Sequence, residues 1–173
     1  MVINYKLFLT GAAAVGGFLL LLLMSDSYVR GYLDYGPFVT SFYFFFFLGG
    51  AIFTSKIFGE LQHPEKSYRY LTLPASTLEK LITKWLLSAL GFVVAAYLGV
   101  QLIGVIGGYL SAILFGFDFY MLPIDDTGFS TQAARYLVLH SVFFLGACTF
   151  RNHNFLKTLL AIFVVGSVVS IFT

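Results

Sequence analysis

The chain has 173 residues, of which 59% are hydrophobic, 19% aromatic and only 10% charged, with a mean hydropathy of +0.90. So little polar surface cannot cover a soluble globule, and a net charge of +2 spread over separated loops offers no basic face to nucleic acid. The single cysteine, Cys148, excludes an internal disulfide framework.

These values predict an all-α integral membrane protein. A helix satisfies its own backbone in lipid and needs roughly 20 apolar residues to cross about 30 Å of hydrocarbon. Five segments meet that need: Leu7 to Met24, Phe38 to Ile57, Trp85 to Ile106, Ala133 to Phe150, and Phe155 to Phe172. The first follows Lys6 in the manner of a secretion signal, but it is near spanning length and lacks a small-x-small cleavage pattern after it, so it reads as a retained span. No linker, low-complexity tract or repeat divides residues 1–173, which read as a single transmembrane domain.

Positive charge sets the orientation. With a cytoplasmic N-terminus, Lys6, Lys56, Lys66, Arg69, Lys80, Lys84, Arg151 and Lys157 lie inside and only Arg30 and Arg135 outside, eight against two. The loop from Gly107 to Thr131 then faces out with Asp118, Asp125 and Asp126 and no Lys or Arg. Within it, Tyr109 to Leu122 is apolar but short, and Asp118 interrupts it, so an interfacial or re-entrant segment on the outer face is expected, broken from the third span at Gly107-Gly108. The last apolar run leads directly into Thr173. Either the sequence is a truncated form with a sixth helix absent, or a partner caps the final helix.

The most polar stretch, Ser55 to Lys84, holds five of the ten Lys and Arg residues. Pro64 suits the first turn of a helix and Glu65 complements its positive end, so a short surface helix is expected from there, ending before Pro74. Ser76-Thr77-Leu78-Glu79 has the spacing of a capping box, which places the start of the third helix about two turns before lipid. Lys80, Lys84 and Trp85 suit an interface, where long cations snorkel and Trp rings settle. Charge patterning alone does not separate a helix that faces lipid from one that faces a protein.

The segment Tyr70 to Lys84, YLTLPASTLEKLITK, comes after a second apolar run and opens a third. It resembles the corresponding loop of bacterial type-2 ATP-binding-cassette (ABC) exporter permeases, in which an L-P-x-S-x-x-E stretch precedes a helix with basic residues. Phe150 to Leu160, FRNHNFLKTLL, is similar to the connection between the fourth and fifth spans of bacterial members. The resemblance implies a subunit of the bacterial inner membrane in which Pro64 to Leu73 is the coupling helix. Pro64, Glu65, Lys66, Tyr68, Arg69, Leu71 and Pro74 would then contact a separate ATPase that carries ATP and Mg, and a second permease copy or paralogue would complete the path. This chain has no G-x-x-x-x-G-K-[ST] loop and would bind no cofactor of its own. The family usually has six spans and an N-terminal interfacial helix, whereas here there are five spans and six residues before the first, so a subunit rather than a complete transporter is implied.

Among individual residues, His140 falls near the middle of the fourth span. Ionisable groups there are functional candidates, although a neutral imidazole bonded to a neighbouring helix is favoured over a substrate or proton site. Gly104 and Gly108 have the G-x-x-x-G spacing that permits close helix packing. His63 and His153 lack partners for a zinc site, and Asp125-Asp126 makes no coordination cage. An accessory or assembly membrane protein that binds a cytoplasmic partner is the alternative function. An intramembrane enzyme is least favoured, because no Ser-His arrangement at a shared depth, no H-E-x-x-H and no paired intramembrane acids are read.

Overall fold

A computed structural model describes residues 5–58, 76–123, 128–150 and 153–172. The protein is all-helical, with no strand among the described residues. Five helices follow in order: α1 Tyr5–Arg30, α2 Gly36–Ser55, α3 Thr77–Phe115, α4 Phe129–Thr149 and α5 Asn154–Phe172. Of these, α1, α2, α3 and α5 are long and apolar enough to cross a membrane, as in a multi-pass membrane protein. The expected fourth span is α4, which has the length but carries Gln132, Arg135 and His140 and is less apolar.

Local chemistry explains the boundaries. Asp34 Oδ1 accepts from the Gly36 N-H at 2.9 Å, and Pro37 follows in the first turn of α2, where its missing N-H costs nothing. At the start of α3, Ser76 Oγ accepts from the Glu79 N-H at 3.2 Å while Glu79 Oε2 accepts from the Ser76 N-H at 2.8 Å, closing the capping box. The third helix starts at the expected capping box and departs from expectation only at its far end. It starts eight residues before Trp85 and runs unbroken through Gly107-Gly108 to Phe115. At 39 residues it is about 58 Å long, well beyond the hydrocarbon thickness. Glycine does not break a helix whose backbone has no other partner in lipid. The stop is instead Gly116, with φ +71°, whose N-H returns to the Ala112 carbonyl at 3.0 Å.

The chain divides into two compact units, Met1–Phe47 with Val93–Ala133, and Leu48–Phe92 with Ala134–Thr173. In the first, α1 and the later part of α3 run parallel, because the contacts advance together along both: Gly16 with Ile103, Leu23 with Gly107, and Tyr28 with Phe115. The aromatic run of α2 divides by face, with Phe42 and Phe46 buried and Phe44 exposed. Phe46 meets Phe129, which also meets Tyr97. In the second unit, Ile57, Phe58 and Ala147 form a buried cluster flanked by Phe53 and Phe144. Phe143 stacks on Phe155 there, so aromatic contacts tie α4 to α5.

Candidate functional site

The second unit gathers its polar groups at the roots of the 59–75 segment. On one side α2 ends at Ser55 and a turn carries the chain to Phe58; on the other, Ser76 starts α3. Lys84, two turns into α3, is only 9% exposed, and its Nζ donates to the Ile57 carbonyl at 2.8 Å and lies 5.8 Å from the Phe58 ring centre. This differs from the expected snorkelling position. A carbonyl just past a helix end has no partner within that helix and carries the negative end of its dipole, so a cation satisfies both needs. Trp85 is exposed, and its ring lies nearly perpendicular to that of His140.

Immediately beyond Lys84 the helix widens into a π turn over Leu87–Gly91. Such turns spread the backbone bonding and leave carbonyls open to other donors. Here Tyr136 Oη donates to the Ser88 carbonyl at 2.8 Å and lies 3.5 Å from Thr54 Oγ1. Ser88 Oγ donates to the Lys84 carbonyl at 2.8 Å and lies 2.8 Å from His140 Nε2. With the serine proton on Lys84 O, the imidazole carries its hydrogen on Nε2 and donates to Ser88 Oγ. One hydrogen-bonded set therefore links α2, α3 and α4.

The proximity of Ser88 and His140 differs from the expectation that no Ser-His arrangement shares a depth. Counted from the capped start of α3 at Thr77, Ser88 stands 11 residues into its helix and His140 stands 9 residues from the end of α4, and the π turn over Leu87–Gly91 brings the two to one level. Aligning these two helix ends is the sequence signal that would have found the pair. The arrangement lacks other parts of a nucleophilic site. Both side chains are 0% exposed, and His140 Nδ1 has no partner that would orient the ring. The geometry is that of a lock between helices.

Asn154, the first residue of α5, extends this junction: its Nδ2 lies 3.4 Å from the Ser55 carbonyl and 3.5 Å from the Ala147 carbonyl. Gly146 accommodates Thr158, whose Oγ1 would stand 1.9 Å from any Cβ there. The start of α5 is therefore seated against the end of α4.

The other expected residues fall as follows. Pro64, Glu65, Lys66, Tyr68, Arg69, Leu71 and Pro74 lie outside the described residues, as do His63, Asp125 and Asp126. Asp118 is exposed in the 116–123 segment. His153 is exposed at φ 54° just before α5, and no group of residues suited to a metal occurs among those described. Gly104 and Gly108 are buried in the first unit, where they pack under the 116–123 segment. A Cβ at Gly104 would meet Leu122 at 3.4 Å, and one at Gly108 would meet Tyr35 Oη at 2.8 Å and Phe119 at 2.9 Å. The segment is held by a reciprocal pair: Tyr35 Oη donates to the Tyr120 carbonyl at 2.9 Å, and Tyr120 Oη donates to the Leu33 carbonyl. Phe119 stacks on Tyr109 at 4.3 Å. Burial, followed by the neighbouring Tyr120, pushes the Tyr35 phenol up to about 12.

Compared with family models, with curated proteins and with solved structures, the chain matches none.

Proposed function

We propose that this chain is a membrane-spanning subunit of an ABC-type exporter of the bacterial inner membrane. In this reading the N-terminus is cytoplasmic, and residues 64–74 receive the movement of a separate ATPase that binds ATP and Mg. The chain hydrolyses nothing; a second permease copy or paralogue forms the path with it. The single observation that supports this most is the bond from Lys84 Nζ to the Ile57 carbonyl at 2.8 Å. It joins the two roots of the 59–75 segment, so a push on that segment acts on α2 and α3 together. Through Ser88, His140 and Tyr136 the same push reaches α4. A connection that only turned the chain around would not need buried hydrogen bonds at its base. The resemblance of Tyr70 to Lys84 and of Phe150 to Leu160 supplies the nature of the partner.

The test is replacement of residues 64–74 by a Gly/Ser segment of equal length in the chain expressed with its ATPase. Membrane insertion is expected to persist, with ATP hydrolysis no longer linked to export. Full coupled activity would reject the assignment. Failure of residues 64–76 to crosslink to any ATPase would favour an accessory protein.

A further inference from the structure

The parallel seam between α1 and α3 carries Leu23 and Ser27 on one side and Gly107 and Ser111 on the other, all buried. Leu23 fits over Gly107, where a Cβ would stand 2.6 Å from Leu23 Cδ2. One turn further along each helix come Ser27 and Ser111, four residues beyond Leu23 and Gly107 respectively. Past them the Tyr28 and Phe115 rings meet at 5.4 Å. The two serines therefore share one level of the seam, between a side chain seated over a glycine and an aromatic pair.

Both serines are 0% exposed, and neither Oγ has a hydrogen-bond partner. Other buried hydroxyls in this chain behave differently. Thr54, Ser55, Ser88 and Thr158 each donate to the carbonyl four residues back in their own helix. Ser27 and Ser111 make no such bond to the carbonyls of Leu23 and Gly107. An unpaired buried hydroxyl is destabilising, and two at one level of one seam point to a shared partner. That partner is neutral, because the groups that flank this level, Leu23, Gly107 and the Tyr28–Phe115 ring pair, carry no charge. It also both donates and accepts, since each hydroxyl has one proton and two lone pairs.

We propose that Ser27 and Ser111 hold a single water molecule that bridges α1 to α3. The water accepts from one hydroxyl and donates to the other, and its second O–H is available to one of the Leu23 and Gly107 carbonyls. It makes this level of the seam a polar joint within an otherwise apolar helix pair, exchangeable where the leucine contacts are not.

Three variants of the full chain, Ser27→Ala, Ser111→Ala and the double replacement, decide the matter by the sign of their effect on thermal melting. With a bridging water, each single variant melts lower than the parent, and the double variant loses less than the sum of the two, since one bridge is removed either way. If both single variants melt higher than the parent, the hydroxyls are merely unpaired and the proposal is overturned. A density map that resolves ordered solvent gives the second readout. Density between the two Oγ atoms is expected, and a direct Ser27–Ser111 bond with no such density would overturn the bridge even if the single variants melt lower.

Discussion

Lys84 Nζ and the Ile57 carbonyl are 2.8 Å apart although 27 residues separate them in sequence. The bond replaces hydration that the ammonium gives up on burial, and it quenches a carbonyl past the end of α2. Lys84→Met keeps most of the packed stem and removes only the donor. A hydrogen bond to a charged group contributes about 1.5–3 kcal/mol, so this variant is expected to lose about that much in detergent unfolding. Under the proposed exporter function, the same variant coexpressed with an ATPase should also lower export per ATP hydrolysed while membrane insertion remains normal.

Gly104 and Gly108 share a spacing but not a surrounding. At Gly104 the nearest atoms would stand at ordinary contact distance from a Cβ; at Gly108 a Cβ would press on Tyr35 Oη and the Phe119 ring, both under 3 Å. Gly104→Ala is therefore expected to be neutral or to stabilise by up to about 1 kcal/mol through helix propensity. Gly108→Ala should cost about 1–3 kcal/mol by overpacking. Thermal melting of the two variants side by side checks the contrast, which a simple helix-packing motif would not produce.

What could be read in the sequence, and what could not, follows from how local the cause is. The capping box at Ser76 and Glu79 is a four-residue device whose two bonds need nothing from the rest of the chain, so its spacing sufficed. The five helices were legible from apolar length, but the far limit of α3 was not. Glycine at 107 and 108 is a weak helix former in isolation, and only Leu23, Tyr35 and Phe119 give it a reason to sit inside a helix. Ser88 and His140 meet only because a π turn and the α4 register bring them to one level, which local pattern does not encode. Lys84 looked like an interfacial cation because its acceptor, a backbone carbonyl, has no sequence signature.

Tyr35 supplies a pH prediction. Its phenol has an ordinary value of 10, and burial followed by the neighbouring Tyr120 raises it to about 12 in the folded chain. The folded state holds the proton more tightly than the unfolded one, so the stabilisation is fully present below pH 10 and is lost as pH rises through about 12. Tyr120 shifts in the same direction, chiefly by burial. Melting temperatures taken across this window should fall for the parent chain. Tyr35→Phe should be less stable at neutral pH, having lost the bond to the Tyr120 carbonyl, but should show a flatter decline above pH 10.

Tyr136 is held from both ends, and its two supports can be removed separately. At the polar end its hydroxyl donates to the Ser88 carbonyl inside the π turn at 2.8 Å. At its flank the ring lies over Gly50, where a Cβ would be 2.3 Å from Tyr136 Cε2 and 2.9 Å from Phe92 Cε1. Tyr136→Phe leaves the ring and strands a buried acceptor, for an expected loss of about 1–3 kcal/mol. Gly50→Ala leaves the hydroxyl and displaces the ring, for a similar loss of about 1–3 kcal/mol. Once alanine has pushed the ring aside, the hydroxyl no longer reaches Ser88, so the double variant should lose less than the sum of the two. Unfolding free energies from a double-mutant cycle measure the shortfall. Strict additivity would mean that the fit over Gly50 and the bond to Ser88 act independently, and that the π turn is not held by the α2 face.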